Sequence, residues 1–383
     1  MTKRLFISVD FPPEIGGIQN YVYGIVSHLD AKDTFVLTSN RVGKNKYLPF
    51  DKDQEFKIYR TNVTSSVPLI FQLAQLILLF FLVIRIIKIH KIEEIHFGNV
   101  MPVGLIGPIL KTLFRIRYYP YIHGLDFLES KVNPLKFKLL KKILQHASKI
   151  ICNSNYTQSV VKESGFDENR IIVIHPGIPK TNPSLDLNKT ETINKYNLKG
   201  KFVLITVGRL VKRKGHDKVI QSLKEIIKIN KDIKYIVCGN GPERENLEMM
   251  VKEGNLENYV TFVGDIERGE LETIYSVADL FIMLNREIKE TGDVEGYGIV
   301  FLEAGIYGLP VIGGNNGGVP DAVLHGETGF LIDSLNDEEI VKTISSFFYD
   351  KNLTKTLGEN GYKWVNENCL WHHRIKLLET LKG

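Results

Sequence analysis

The sequence predicts an α/β protein built from two Rossmann-like domains. Short β-branched runs alternate with longer helical patterns along nearly the whole chain, which is typical of parallel sheets joined by crossover helices. The alternation breaks once, in the three-proline stretch HPGIPKTNPSLDLNKT at 175–190, and then resumes. The 383 residues also exceed the ~250–300 residues at which a single core usually stops growing. Two domains joined by a linker are therefore predicted.

The first series of elements forms a predicted domain over residues 1–178. Its strands are predicted at 3–9, 34–38, 94–97, 117–122, 149–152 and 171–174. Its helices are predicted near 18–29, 68–90, 102–114, 134–147 and 154–164. The strands are short β-branched and aromatic runs, whereas the helices repeat apolar residues every three to four positions.

A linker at 179–200 precedes the second predicted domain, residues 201–366. The strands of this domain are predicted at 201–208, 233–239, 259–263, 279–284 and 309–313. The helices are predicted at 215–229, 242–253, 268–277, 298–308, 337–349 and 352–366. A last helix at 371–381 belongs to a C-terminal segment, 367–383, that we expect to return to the first domain.

Composition narrows the class of protein. A content of 43% hydrophobic and 24% charged residues is that of an ordinary folded protein. The three cysteines, Cys152, Cys238 and Cys369, are widely spaced without a CxxC pair, so neither a disulfide framework nor a zinc site is predicted. The start, MTKRLFISVDFPPE, lacks the apolar core of a signal peptide, which predicts a cytoplasmic protein.

Two segments of the first domain raise the question of a membrane. VPLIFQLAQLILLFFLVI at 67–84 carries no charge over 18 residues, near the lower limit of ~17–25 residues for a span. A span would place strands of one sheet on opposite sides of a bilayer, so a helix packed on the sheet is preferred, and lipid contact through one face stays open. Lysines around an apolar stripe at 131–149 indicate either a solvated helix face or contact with an anionic membrane.

We favour the membrane for this second segment because both segments lie in one domain. The lysines expected to make the contact are Lys136, Lys138, Lys141 and Lys142. Nucleic acid is not predicted as a partner, since Phe137 alone does not make a series of aromatic stacking residues among the lysines.

The stretch GDVEGYGIVFLEAG at 292–305 places Glu295 and Glu303 on either side of a predicted helix start. Gly298 lets the backbone approach a ligand, and the N–H groups of a first helical turn favour phosphate. The two carboxylates could then accept hydrogen bonds from hydroxyls at both ends of a nucleotide sugar. The alternative is that both are surface glutamates without a function.

Other polar loops follow strands and strengthen the first interpretation. GRLVKRKG at 208–215 supplies the cations Arg209 and Lys214 for a diphosphate, and two further polar loops follow the strands ending near 239 and 263. In the first domain, PPEIGGIQNY contains Gly16 and Gly17, and YYPYIHGLDF ends a strand in His123. A tight turn and a structural histidine are the alternatives there.

Taken together, these motifs resemble the retaining glycosyltransferases of family 4 over nearly the whole chain. The segments that carry the resemblance are GGIQNY, IHGLD, VGRLVKRKG, GNGPE and GDVEGYGIVFLEAGIYGLPVIGGNNGGVPDAV. The resemblance implies the GT-B architecture, in which two Rossmann-like domains face each other across a cleft. It is greatest to bacterial enzymes that transfer mannose from GDP-mannose to a phosphatidylinositol mannoside. The stretch NREIKETGDVEG at 285–296 is longer and more charged than in many members, which leaves the sugar in doubt.

The resemblance also implies roles for individual residues. Glu295 would bind the donor sugar, and Glu303 the ribose. Arg209 and Lys214 would bind the diphosphate, and His123 would contact the sugar near its reacting face. The other expected donor-binding positions are Gly16, Gly17, Gly239, Asp265, Ile266, Gly298, Ile299 and Val300. A front-face mechanism without metal or cofactor is implied.

The expected function is transfer of a hexose to a hydroxyl of a lipid-linked or polysaccharide acceptor at the inner face of the cell membrane. GDP-mannose is favoured as the donor, with a UDP-sugar as the alternative. A nucleotide-sugar epimerase or hydrolase on the same fold, and a non-catalytic sugar-nucleotide binding protein, stay open as other functions. The sequence leaves the oligomeric state undetermined.

Overall fold

A computed structural model describes residues 2–62, 69–181, 188–379 and 381, with the backbone alone described at 69–73. The chain divides into two compact units. Unit 1 comprises Met1–Gly177 and Trp371–Gly383, and unit 2 comprises Ile178–Leu370. Each unit contains a parallel sheet with helices on both faces, so the predicted class, α/β with two Rossmann-like domains, is confirmed.

The described part of unit 1 forms a seven-stranded parallel sheet in the order β3-β2-β1-β4-β5-β6-β7. The strands are β1 Arg4–Ser8, β2 Thr34–Ser39, β3 Lys57–Thr61, β4 Glu94–Phe97, β5 Arg117–Ile122, β6 Ile150–Cys152 and β7 Ile171–Val173. The helices are α1 Gly17–Val26, α2 Lys44–Lys52, α3 Leu69–His90, α4 Gly107–Phe114, α5 Leu125–Val132, α6 Pro134–His146 and α7 Asn155–Glu163. The sequence pattern does not predict β3, because this edge strand is half exposed and mixes polar with apolar residues.

Two apolar layers cover the sheet of unit 1. One layer contains Tyr21, Val22 and Ile25 of α1, which are buried because their spacing places them on one side of the helix. The opposite layer contains buried residues of α3, α4, α6 and α7. The carboxyl ends of the strands are left to loops, which is where ligands bind in such sheets.

Helix α3 contains most of the apolar segment at 67–84, of which residues 67 and 68 lie outside the described residues. Leu79 and Val83 pack into the core, as expected for a helix lying on the sheet, whereas Leu78 and Phe81 are exposed. Within the ranges that the structure describes, no helix combines the length and apolarity needed to cross a bilayer.

Unit 2 contains a six-stranded parallel sheet, as far as the chain is described, in the order β10-β9-β8-β11-β12-β13. The strands are β8 Phe202–Val207, β9 Ile233–Cys238, β10 Val260–Gly264, β11 Leu280–Met283, β12 Val311–Gly314 and β13 Gly329–Ile332. The helices are α8 Lys189–Lys195, α9 His216–Ile229, α10 Arg244–Glu253, α11 Arg268–Val277, α12 Ile299–Ile306, α13 Asp337–Tyr349 and α14 Lys351–Asn368. Helix α8 lies in the segment predicted as a linker and packs on α11, so this part of the segment is integral to unit 2.

The C-terminal residues belong to unit 1, where they form the short helices α15 Trp371–Arg374 and α16 Lys376–Glu379. The Trp371 ring packs directly on Gly24 of α1, and a Cβ at Gly24 would lie only 2.0 Å from its Cε2 atom. A glycine is therefore required at position 24 for this packing.

Candidate active site

The loops that follow β8, β9, β10 and β11 lie at the carboxyl edge of the unit 2 sheet. The strand order continues from β8 to β9 on one side, and β11 pairs with β8 on the other. Such a switch point is where open α/β sheets bind ligands. The predicted residues in these loops are Arg209, Lys214, Gly239, Asp265, Ile266, Glu295 and Gly298. The fold therefore brings the predicted donor-binding residues of unit 2 to one sheet edge.

Lys214 and Glu295 form the central ion pair of this edge. The Nζ atom of Lys214 lies 2.5 Å from Oε2 of Glu295, and their side chains are only 10% and 12% exposed. The lysine side chain lies over Gly208, the glycine after β8: a Cβ there would be in ordinary van der Waals contact with it, 3.7 Å from the Lys214 Cε atom. Two residues that are 81 positions apart in the sequence thus form an ion pair at the sheet edge.

The charge state of Glu295 is set by two opposing effects. Burial raises the pKa of this carboxyl, but the nearby Lys214 ammonium and Arg213 guanidinium lower it by more, so that the net pKa is lowered. Glu295 is therefore ionised at neutral pH and can accept hydrogen bonds from sugar hydroxyls.

Two further residues contact Glu295 and are not among the site residues that the sequence predicts. Arg213 Nε lies 3.8 Å from Oε2 of Glu295, and Asn285 Nδ2 donates to the same oxygen at 3.3 Å. Arg213 lies beside Lys214 in a basic run, and this position is the one feature of the sequence that could have indicated its role. Asn285 could not be found by spacing, because its buried position depends on the turn after β11.

Arg209 is exposed, and no carboxylate in the described ranges pairs with it. Its guanidinium is thus available to an external anion, in contrast to Lys214. Of the two predicted cations, Lys214 is therefore paired with Glu295, whereas Arg209 is exposed on the loop after β8.

Gly298 precedes α12 and adopts φ 92°, a left-handed conformation that favours glycine. No side chain among the described residues caps the first turn of this helix. The N–H groups at the start of a helix lack intrahelical acceptors and carry a partial positive charge. The backbone at Ile299 and Val300 therefore has the donors that an anionic group requires.

Glu303 lies within α12, one turn beyond its start. The hydroxyl of the buried Tyr275 donates to Oε2 of Glu303 at 3.3 Å, and the Tyr275 ring stacks on Tyr307 with centroids 5.3 Å apart. Burial raises the pKa of Glu303, and the Tyr275 hydroxyl and nearby cations lower it by less, so that the net pKa is raised. Glu295 and Glu303 thus differ in the direction of their pKa shifts.

Gly239 has a backbone explanation that requires no ligand. A Cβ at this position would lie 2.2 Å from the carbonyl oxygen of Gly208, so the two loops approach each other too closely for any side chain. The N–H of Gly239 donates to the carbonyl of Gly264 at 2.8 Å, just before the exposed Asp265 and its half-buried neighbour Ile266.

The other predicted residues belong to unit 1. His123 follows β5, and its Nε2 atom donates to the carbonyl of Gly98 at 2.7 Å, which fixes the ring. Asp126 Oδ1 accepts from the backbone N–H of His123 at 3.0 Å. Gly16 and Gly17 lie at the start of α1, and no atom of the described chain lies within 4 Å of a Cβ placed on Gly17, so this backbone is open to a ligand.

Comparison with known families covers both units. Residues 15–181 match the model of Glycosyltransferase Family 4, and residues 188–364 match that of Glycosyl transferases group 1. The chain belongs to the glycosyltransferases. Most of its length is accounted for by the two matches together, and the resemblance seen in the sequence motifs is confirmed.

Curated relatives span the full length of this glycosyltransferase. It is 28% identical over 382 residues to the GDP-mannose-dependent alpha-(1-6)-phosphatidylinositol monomannoside mannosyltransferase of Mycolicibacterium smegmatis, covering 99% of this chain and 98% of the relative. The enzyme of the same name from Mycobacterium tuberculosis is 28% identical over 391 residues, covering 100% and 99%.

Solved structures show the same fold at lower identity. HepE of Anabaena, in complex with UDP, matches the glycosyltransferase with a TM-score of 0.81 and 20% identity, covering 99% of each chain. Sucrose-phosphate synthase from Thermosynechococcus elongatus matches with a TM-score of 0.78 and 20% identity, covering 99% and 98%.

The raised pKa of Glu303 gives a prediction for Glu303→Gln in this glycosyltransferase. The folded pKa of this carboxyl lies above its unfolded value of 4.5, so the unfolded state releases its proton first, and the fold loses stability as the pH rises from the unfolded pKa to the folded pKa. We expect the variant to melt at a higher temperature than the wild type at neutral pH and the difference to shrink on acidification. Thermal unfolding from about pH 4 to pH 8 measures this. A variant that is less stable at neutral pH would contradict it.

Proposed function

We propose that this glycosyltransferase transfers a hexose, with retention of configuration, from a nucleotide sugar to a hydroxyl of a lipid-linked or glycan acceptor. The observation that carries the proposal is the shielded Lys214–Glu295 pair beside an uncapped helix start with Glu303 one turn further on. The lysine and the free backbone N–H groups suit the diphosphate of a nucleotide sugar. The carboxylates of Glu295 and Glu303 suit the hydroxyls of its sugar and its ribose, respectively. GDP-mannose is the favoured donor, since the full-length mycobacterial relatives are named for it.

In the proposed reaction, the acceptor oxygen forms a bond to the anomeric carbon on the face from which the diphosphate departs. The bond between that carbon and the phosphate oxygen breaks, and the acceptor proton passes to the departing phosphate oxygen. Arg209, Lys214 and the first turn of α12 stabilise the developing negative charge. Glu295 holds the sugar hydroxyls, Glu303 holds the ribose, and His123 contacts the sugar. This scheme uses no metal or cofactor.

The loop at Asp265 and Ile266 is proposed to contact the base, with the backbones of Gly16, Gly17 and Gly239 contributing to donor binding. Thermal-shift measurement with GDP-mannose, GDP-glucose, UDP-glucose and UDP-N-acetylglucosamine tests the donor, because a bound ligand stabilises the fold by mass action. Transfer to octyl α-mannoside then tests the activity, and NMR of the product anomer tests retention. Stabilisation by GDP-mannose above the others is expected, whereas no stabilisation and no transfer with any donor would refute the proposal.

We also propose that unit 1 contacts an anionic membrane at the cytoplasmic face. Leu140, Ile143 and Leu144 of α6 pack into the core, which leaves Lys138 and Lys142 exposed and Lys136 and Lys141 half-buried. Exposed apolar side chains accompany the lysines: Leu135 on α6, Ile109 and Leu113 on α4, and Ile77, Leu78 and Phe81 on α3. A basic surface with protruding apolar groups is suited to an anionic interface.

Replacing Lys138, Lys141 and Lys142 by glutamine is expected to weaken binding to phosphatidylglycerol-containing vesicles by at least ~10-fold, since each lysine near the surface contributes about 1 kcal/mol. Vesicle co-sedimentation measures this, with transfer to octyl α-mannoside unchanged. The matched control replaces Lys44, Lys46 and Lys52 of α2, which removes the same charge from the same unit. Equal loss of binding in both variants would show a net-charge effect instead of a defined surface.

A further inference from the structure

The segment between β11 and α12, residues 285–296, is the long charged stretch noted in the sequence, and we call it the lead-in loop. The loop folds back on itself. The N–H of Ile288 donates to the carbonyl of Asp293 at 2.9 Å, and the N–H of Gly292 donates to the carbonyl of Ile288 at 2.8 Å. The lead-in loop is thus a closed turn, and its orientation depends on what holds its two ends.

Besides the contacts of Glu295 with Lys214 and Arg213, two ion pairs join the lead-in loop to the start of α9 and the residues just before it. Arg286 makes a forked contact with Asp217, with Nη1–Oδ1 and Nη2–Oδ2 distances of 2.9 and 2.7 Å. Nη1 of Arg213 lies 3.3 Å from Oδ2 of Asp293. The Arg286 and Asp217 side chains are only 16% and 26% exposed. A bidentate, shielded pair fixes geometry in a way that an exposed pair does not.

We propose that the Arg286–Asp217 ion pair positions the donor-binding groups by fixing the separation of Lys214 and Glu295. Lys214 precedes Asp217 by three residues, and Glu295 follows Arg286 by nine. The ion pair therefore joins the two segments that carry the central pair of the site. This inference rests on the proposed function, because it assigns the donor to Lys214 and Glu295.

The central pair cannot fix its own separation when the donor binds. In the free protein, Lys214 and Glu295 neutralise each other at 2.5 Å. With a donor present, the ammonium has to contact the diphosphate and the carboxylate has to contact the sugar, so part of their mutual contact is exchanged. The Arg286–Asp217 pair takes no part in that exchange and can hold both segments throughout.

A short path connects Arg286 to Glu295. Asn285, the residue before Arg286, donates from Nδ2 to Oε2 of Glu295 at 3.3 Å. The carbonyl of Asn285 accepts from the Ser334 hydroxyl at 2.8 Å. The N–H of Arg286 itself donates to the carbonyl of Arg213 at 2.9 Å. A displacement at Arg286 therefore reaches the carboxylate through one neighbouring residue, which makes Arg286 a positioning residue and not a catalytic one.

The test compares Arg286→Ala with the wild type using GDP-mannose and GDP-glucose as donors and octyl α-mannoside as the acceptor. If the donor panel selects uridine, UDP-glucose and UDP-galactose replace them. We expect kcat/KM for the better donor to fall at least ~10-fold, mainly through kcat. The ratio of kcat/KM between the two donors should fall at least ~5-fold, because the Glu295 carboxylate is no longer held in one position relative to the sugar hydroxyls. Asp217→Ala should do the same, and the double variant should be no worse than either single one.

The matched control is Lys218→Ala, which removes the neighbouring ion pair of α9, 3.1 Å from Asp337. Its sugar preference should equal that of the wild type. If Arg286→Ala does not fold, Arg286→Lys takes its place in the test, because it keeps the positive charge but cannot form the bidentate contact with Asp217. An unchanged sugar preference in the Arg286 and Asp217 variants would overturn this inference while leaving the proposed function intact. Absence of transfer by the wild type would instead refute the proposed function.

Discussion

Replacing Lys214 by alanine is expected to lower kcat/KM for sugar transfer by at least ~10²-fold, the scale of losing one preorganised charge contact. The ammonium lies 2.5 Å from Glu295 in a shielded position, whereas the neighbouring Arg213 lies 3.8 Å from the same oxygen. The departing diphosphate would lose a positive charge, and Glu295 would lose its shortest ionic contact. Arg209→Ala should act in the same direction through the diphosphate alone. Steady-state kinetics with the preferred donor measures both.

Lys218→Ala serves as the control for Lys214→Ala, because it removes an ion-paired lysine four residues further on without touching the sheet edge. Its turnover should remain close to that of the wild type. Near-normal turnover in both the Lys214 and Arg209 variants would count against a diphosphate at this edge.

Replacing Gly298 by alanine is expected to lower kcat/KM by about 10²-fold, because the first turn of α12 would no longer present its N–H groups correctly. The residue has φ +92°, and a Cβ on it would lie 2.7 Å from Cδ2 of Phe301. The phenylalanine ring or the helix start must therefore shift. Donor affinity from thermal shift, together with kinetics, measures the effect.

Gly326→Ala is the control for Gly298→Ala. It distinguishes loss of donor binding from the loss of stability that a side chain causes in a left-handed backbone conformation. Gly326 also has a positive φ, +79°, but a Cβ placed on it has no atom of the described residues within 4 Å. Both variants should lose roughly 1–2 kcal/mol of stability from the backbone conformation. Donor binding should decline in Gly298→Ala alone. Equal donor affinity in the two variants would mean that the start of α12 is not a phosphate site.

Sequence periodicity predicts the class of fold and most of its elements, because buried parallel strands are short apolar runs that stand out between helices. It does not predict β3 or β13. Both are edge strands of four or five residues, and their partly exposed pattern resembles that of a loop. Helix α8 is hidden in the stretch predicted as a linker, since its polar sequence, KTETINK, lacks an apolar stripe.

Within the site, the sequence indicates residues that follow strands but not the partners they find. Lys214 and Glu295 are both predicted, for the diphosphate and the sugar, yet nothing in their spacing indicates that they form an ion pair. Arg213, Asn285 and the Arg286–Asp217 pair are not predicted, because their roles depend on how the lead-in loop closes. Such contacts are set by three-dimensional packing, which a one-dimensional pattern does not contain.

The most direct test of the central claim is a crystal structure of the glycosyltransferase with its preferred nucleotide sugar bound. We expect the diphosphate to contact the N–H groups of Ile299 and Val300 and the side chains of Arg209 and Lys214. Glu295 should contact the sugar, and Glu303 the ribose. A diphosphate bound away from the first turn of α12, with Lys214 and Glu295 still paired to each other alone, would contradict this claim.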